Sequence, residues 1–372
     1  MTTGGDTRAD IAQARRVVVK VGSSSLASAA GGLDAARVDA LVDAVAECHA
    51  AGREVVVVSS GAIAAGLAPL GLRRRPRDLA TLQAAASVGQ SRLVQEYARS
   101  FTRYATTVAQ VLLTAEDVVR RAHYRNARRA LERLMHLRVV PIVNENDTVA
   151  TDEIRFGDND RLAALVAHLV HADALILLSD VDGLYDRNPA ASDARLVSLV
   201  RGEHDLPTVT AHVGGSARIG TGGMVSKLDA ARVATGAGIP VVLGAAGSVR
   251  DALAGRPVGT HFLPTGRRTS SRLLWLAHAS TPTGRLRLDA GAVTAVVVRR
   301  SSLLPAGVTG VEGDFAAGDP VELVAPDGRP VARGLVGYDA AELPPMLGRS
   351  IGDLGPDQQR ELVHRDDLVL LP

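Results

Sequence analysis

Lysine is nearly missing from this chain. Of its 42 basic residues 40 are arginine, and the two lysines are Lys20 and Lys227. Arginine supplies positive charge almost everywhere, so each lysine marks a place where a compact ammonium was kept. Arginine's flat fork does not fit every gap between crowded phosphate oxygens, whereas lysine acts as a point charge. Both lysines stand beside glycine-rich stretches, which favours phosphate contact over chance survival. Cysteine is scarcer still. The lone Cys48 excludes an intramolecular disulfide framework and fits a reducing cytosol. Its helical surroundings favour a buried structural thiol over a nucleophile. No His/Cys cluster has zinc-ligand spacing, and no apolar run approaches the ~20 residues that span a membrane. The first residues, MTTGGDTRAD, are polar and carry acids, so no secretory signal is expected.

What the chain does have is ample apolar content, 46% over 372 residues, enough for two domains or one with an appendage. Short Val/Ile/Leu runs at 17–21, 54–58, 139–143, 174–178 and 239–243 read as strands. Residues 34–50 place Val38, Leu41, Val42, Val45 and Ala46 on one helical face, with Asp34 as N-cap and Gly52 as the stop. Continuous apolar strands alternating with helices predict a parallel sheet covered on both faces. From about residue 285 the texture changes to short runs, Val293–Val298, Val308–Glu312, Val321–Ala325 and Val331–Val336, which predict a small β-rich domain. Pro326-Asp327-Gly328-Arg329 reads as a hairpin turn, and residues 264–284 as a polar linker.

Each strand of the first part ends in small or polar residues, where ligands of open α/β sheets bind. In VVVKVGSSSL the lysine precedes the glycine, the reverse of the common P-loop order. The second glycine-rich segment runs from Gly214 to Lys227, with five glycines in ten residues, and opens a helix. Glycines alone would make a mobile loop; with Lys227 at the end, phosphate binding is the better reading. Asn144-Glu145-Asn146-Asp147 and Phe156-Gly157-Asp158-Asn159-Asp160 could hold a metal or a small zwitterion. Singly, such residues are turn and capping residues. Ser179-Asp180-Val181-Asp182-Gly183 is a weaker acidic turn, suited to a sugar hydroxyl or an adenine edge. The run RRRPR at 73–77 reads as a solvated loop, and His123, His168 and His171 as structural residues of helical stretches.

Six ordered motifs, KVGSS (20–24), SSGAIAAG (59–66), NENDTVA (144–150), FGDND (156–160), SDVDGLY (179–185) and GTGGMVSK (220–227), resemble the glutamate 5-kinases of the amino acid kinase superfamily. SSLLPAGV (301–308) and GDPVEL (318–323) are similar to the PUA domain that follows in many bacterial members. The resemblance implies a three-layer αβα sandwich with a mainly parallel sheet over 12–270, and a PUA-like domain over 284–366. It implies ATP-dependent phosphorylation of the γ-carboxylate of L-glutamate, the first step of proline synthesis. Lys20 and Lys227 would neutralise the transferring phosphoryl group, held by Asp160. Ser60, Asp147 and Asn159 would bind glutamate, with Asn144 close by. Gly22, Ser23, Ser179, Asp180, Thr221, Gly222, Gly223, Met224, Val225, Ser226 and the two lysines would contact the nucleotide. Mg²⁺ would arrive on the phosphates, without a protein metal site. Ser226 stands where the family pattern has threonine, keeping the hydroxyl. A cytoplasmic homo-oligomer, a dimer or tetramer, is expected, with proline as feedback inhibitor and the product handed to glutamate-5-semialdehyde dehydrogenase.

Two rival readings remain at this stage. One is a superfamily kinase for acetylglutamate, aspartate, carbamate or a nucleotide; the two acid–amide clusters and the PUA-like tail argue against it. The other is an RNA-binding protein acting through the tail. Residues 281–372 hold nine arginines against thirteen acids, a net of −4, and only Phe315 and Tyr338 as aromatics. RNA surfaces are usually basic and stack bases on aromatics, so no RNA affinity is expected.

Overall fold

The computed structural model describes residues 8–27, 32–114, 117, 121–149, 159–189, 192–202, 205, 223–266, 276, 282–355 and 358–371. The chain divides into two compact units, Met1–Arg268 and Thr269–Pro372.

Eight strands of the first unit form one sheet: β1 (Arg16–Val21), β2 (Glu54–Ser59), β3 (Val108–Leu113), β4 (Val140–Glu145), β5 (Ala174–Ser179), β6 (Leu199–Val200), β7 (Val241–Ala245) and β8 (Thr260–Phe262). Their order is β3-β4-β2-β1-β5-β7-β8-β6. Every pairing is parallel except that of β8 with β7. Parallel neighbours need crossovers, and helices supply them. The longer ones are α1 (Ala35–Ala50), α2 (Leu79–Thr102), α3 (Arg121–His136), α4 (Asn159–Leu169) and α5 (Met224–Gly236). Asp34 caps α1 as expected, accepting from the N–H groups of Ala36 and Arg37, and Gly52 turns the chain back at φ 91°.

The five apolar runs read from the sequence become β1, β2, β4, β5 and β7, which are contiguous in the sheet. Strand β3 and the short β6 and β8 escaped that reading. They lie toward the two margins: Gln110 breaks the apolar run of the partly buried β3, and β6 and β8 are only two and three residues long, β8 buried but with Thr260 and His261 in it. Asn144 and Glu145, expected in the exit turn, are the last residues of β4, because its ladder with β3 continues to Leu113 opposite Glu145. His171 lies beyond the end of α4 at φ 54°, in a turn rather than a helix.

Side-chain alternation along β1 decides what faces what. Val17, Val19 and Val21 join the core that includes Val38, Leu41, Val42 and Val45 of α1. Val18 and Lys20 therefore face the opposite side of the sheet, where α4 packs on β1 and α5 packs on α4. Cys48, on the buried face of α1, has its thiol pKa pushed up by burial against the opposing charge of Arg53. It is a packing residue.

The second unit carries β9 (Gly284–Leu288), β10 (Val308–Gly313), β11 (Pro320–Val324), β12 (Pro330–Val336) and β13 (Val363–Leu370), ordered β10-β9-β11-β12-β13. Its own core contains Leu286, Leu288, Val321, Leu323 and Tyr338. The expected turn joins β11 to β12, with Gly328 at φ 86° and its N–H donating to Ala325. Val293–Val298 is not a strand. Ala290–Val293 is α-helical and Thr294–Val298 forms a π-helical turn. Asp289 caps it by accepting from the Ala292 N–H at 2.6 Å, and this local bond outweighs the β-propensity of the valines.

Candidate active site

The sheet order places β1 at its turning point: the chain passes to β2, β3 and β4 on one side and to β5 and β7 on the other. Clefts open at the carboxyl ends of strands at such a point. Lys20 stands there, one residue before the end of β1, with almost no surface in water. Its ammonium forms an ion pair with Oδ1 of Asp160, and Lys227 reaches Oδ2 of the same carboxylate at 3.1 Å. Asp160 comes from the first turn of α4 and Lys227 from the first turn of α5, so packing of these two helices over β1 creates the junction. Two ammoniums drawn to one carboxylate concentrate positive charge at this point, suited to an anion of higher charge. Ser226 also reaches Oδ2 of Asp160, at 3.1 Å, and donates to the Gly223 carbonyl at 2.8 Å. Gly22 lies between the junction and the strand end, where an added Cβ would stand 3.9 Å from the Lys20 ammonium. Ser23 opens the short helix that follows, with Gly22 as its extended N-cap.

A second cluster lies on the β2–β4 side. The Glu145 backbone N–H donates to Oδ1 of Asn144 at 2.9 Å, which settles the orientation of that amide. The Asn159 amide nitrogen then donates to Oδ1 of Asn144 and to the Ser60 hydroxyl, both at 3.0 Å. Ser60, Asn144 and Asn159 are thus one hydrogen-bonded group. Two of its buried atoms have no hydrogen-bond partner among the described residues, Nδ2 of Asn144 and Oδ1 of Asn159. Such atoms are costly unless a ligand or water completes them. A donor beside an acceptor matches the carboxylate and ammonium of a small zwitterion. Asp147 lies three residues after Asn144, half-buried in the turn that leaves β4.

On the β5 side, Ser179 ends its strand buried and donates to the exposed Asp180 carboxylate at 2.9 Å. Further along, the Tyr185 hydroxyl donates to Asp182. Gly223 caps α5, and Met224 and Val225 open it, with Val225 largely exposed. Thr221 and Gly222, the glycine-rich loop from residue 214, and residues 150–158 lie outside the described residues. The RRRPR stretch is mostly exposed, and His123 contacts Asp117 at 2.9 Å. Among the described residues no cluster of three or more His, Cys, Asp or Glu could hold a metal ion. Sequence reasoning missed Gln90 and Tyr97, which reach the Glu145 carbonyl and the Ser59 hydroxyl; on a helix they carry no signal beyond ordinary periodicity.

The chain belongs to the amino acid kinase family, whose family model matches residues 15–244; the PUA domain matches residues 284–351. Its fold resembles that of the solved carbamate kinase from Giardia lamblia bound to AMP-PNP, with a TM-score of 0.51 and 18% identity over 68% of this chain and 99% of that one. Within the family its similarity is to glutamate 5-kinases. It is 66% identical to that of Frankia casuarinae over 97% of this chain and 98% of the relative. It is 60% identical to that of Thermobifida fusca over 100% and 97% of the two chains.

Proposed function

We propose that this protein transfers the γ-phosphoryl group of ATP to the γ-carboxylate of L-glutamate, giving L-glutamyl 5-phosphate and ADP, the first step of proline synthesis. The observation that carries this reading is the convergence of the chain's two lysines on Asp160, close to the amide–hydroxyl group of Ser60, Asn144 and Asn159.

A glutamate carboxylate, with a pKa near ~4.3, is already an anion at neutral pH. An oxygen of it attacks the γ-phosphorus, one P–O bond forms, and the bond to the β-phosphate bridging oxygen breaks. No proton is transferred, so no general base is needed. The task is to bring an anion against a polyanion, and phosphoryl transfer is chiefly positioning and charge stabilisation. Lys20 and Lys227 supply the charge, and Asp160 keeps both ammoniums at one point. Ser60, Asn144, Asp147 and Asn159 hold glutamate, the unpartnered donor and acceptor receiving its charged ends. Gly22, Ser23, Ser179, Asp180 and residues 221–227 line the nucleotide side. At the lysine junction the carboxylate is spent on ammoniums, which does not suit a protein-held metal. Mg²⁺ would be carried by the nucleotide and would neutralise phosphate charge there.

The resemblance also supports a cytoplasmic homo-oligomer, inhibition by proline, and delivery of the product to glutamate-5-semialdehyde dehydrogenase. No described helix is long and apolar enough to cross a membrane. The test is glutamate-dependent ADP release in the presence of hydroxylamine, which captures an acyl phosphate as its hydroxamate. Absence of hydroxamate from wild-type protein would overturn the reading.

A further inference from the structure

The ladder between β2 and β4 is short. Only Val57–Ile142 and Val58–Val143 are paired. Pro141, which has no N–H to offer, lies just before this stretch in β4. Pairing stops again before Ser59 and Asn144, although β2 stays paired with β1 through Ser59 and β4 with β3 through Glu145. The strands therefore part at the point where the Ser60–Asn144–Asn159 group sits. Two lips without a common ladder need another support.

That support is one face of α2. The Tyr97 hydroxyl, fully buried, lies 2.9 Å from Oγ of Ser59, and Ser59 donates its single proton to the Ser60 carbonyl at 3.1 Å. Tyr97 is thus the donor at the head of a relay, Tyr97 to Ser59 to Ser60 carbonyl. Burial raises its pKa well above the ordinary tyrosine value, against the opposing Ser59 hydrogen bond, so it keeps the proton it donates. Two helical turns earlier, Gln90 donates to the Glu145 carbonyl at 3.3 Å and accepts from Gln110 of β3 at 3.1 Å. Ser87, on the preceding turn, meets the Thr148 hydroxyl at 3.1 Å. The contacts of this face with the site all fall on the β2, β3 and β4 side.

We propose that Tyr97 and Gln90 are positioning residues for the amino-acid half of the site, setting the gap between the lips of β2 and β4 without touching the substrate. Tyr97 acts on Ser60 through Ser59, and Gln90 acts on Asn144 through Glu145, whose carbonyl it holds and whose own N–H donates to Asn144. The nucleotide half, on β5 and α5, is held by other elements, so the two halves are tuned separately. This inference rests on the glutamate-kinase reading.

The test measures KM for L-glutamate and for ATP in wild type, Tyr97→Phe, Ser59→Ala, the double variant and Gln90→Met, alongside thermal unfolding. Loss of one relay hydrogen bond is expected to raise the glutamate KM about fivefold and to leave the ATP KM within about twofold. The double variant is expected to match Ser59→Ala alone, because Tyr97 has no route to Ser60 except through Ser59. Gln90→Met is expected to show the same one-sided rise and reads the second lip if the relay variants fold poorly. Equal changes in both KM values, no change, or additive effects in the double variant would overturn the proposal. Absence of glutamate turnover in wild type would instead overturn the functional reading, and this inference with it.

Discussion

The Lys227 ammonium lies 3.1 Å from Oδ2 of Asp160, with less than a tenth of either side chain in water. The two residues sit in the first turns of different helices, and Lys20 of β1 completes the group on the other carboxylate oxygen. Charges so deeply withdrawn from water survive only when paired, and here two ammoniums reach one carboxylate.

Removing either ammonium should therefore cost turnover before it costs binding. Lys20→Ala and Lys227→Ala are each expected to lose roughly 10²–10³-fold in kcat, as for a preorganised charge donor. Arginine at either position should fail as well, because the fork does not replace a point charge between phosphate oxygens. Steady-state assays of ADP release check both, and near wild-type kcat in either alanine variant would refute the assignment.

Asp160→Ala removes the carboxylate that both buried ammoniums reach. Breaking a buried pair in this way costs about 3–5 kcal/mol. Urea unfolding should show it as a lower midpoint, and saturating a nucleotide, which brings new anions, should restore part of the loss. A midpoint equal to wild type would mean the junction opens to water.

Gly89→Ala tests how tightly the framework beneath the site is built. A Cβ at Gly89 would stand 1.7 Å from the Ala62 carbonyl oxygen, and one at Gly66 1.9 Å from that of Ala85, so α2 and the short helix Ala62–Leu67 meet backbone to backbone. An added methyl forces them apart, at ~1–3 kcal/mol or more. Thermal unfolding should fall, and the Ser60 end of the short helix should shift with it, raising the glutamate KM. An unchanged melting temperature would show the contact to be looser than this.

Acid stability should depend in part on Asp39. The Ser100 hydroxyl, donating at 2.6 Å, holds this carboxyl below its ordinary pKa; partial burial opposes, and Arg99 and Arg103 add to the lowering. A depressed folded-state pKa means stability present above the unfolded value near ~3.9 and lost as pH falls through the folded one. Asp39→Asn should lower the melting temperature at neutral pH and flatten its decline below about pH 4. Parallel curves for the two proteins would discount the contact.

Much of this architecture was legible in the chain. Valine-rich runs separated by a capped helix announce parallel strands with cover on both sides, and the rarity of lysine singled out Lys20 and Lys227. Asn144, Asn159 and Ser60 were recognisable as polar residues at strand exits. The π-helical turn at 294–298 was not, since a run of valines reads as a strand until the Asp289 cap is seen to hold it.

Residue spacing encodes local form, because period two or 3.6 fixes which side chains share a face within one element. It also decides the chemistry on offer: two ammoniums, one carboxylate, a few amides and hydroxyls. Which strands become neighbours is another matter. That β2 lies beside β4, that their ladder stops after Val58, and that Tyr97 reaches Ser59 across the gap are contacts between distant segments. No period along the chain records them. They exist only once the elements pack: α4 on β1 and α5 on α4 bring residues 20, 160 and 227 to one point, and α2, on the other face of the sheet, brings Tyr97 to Ser59.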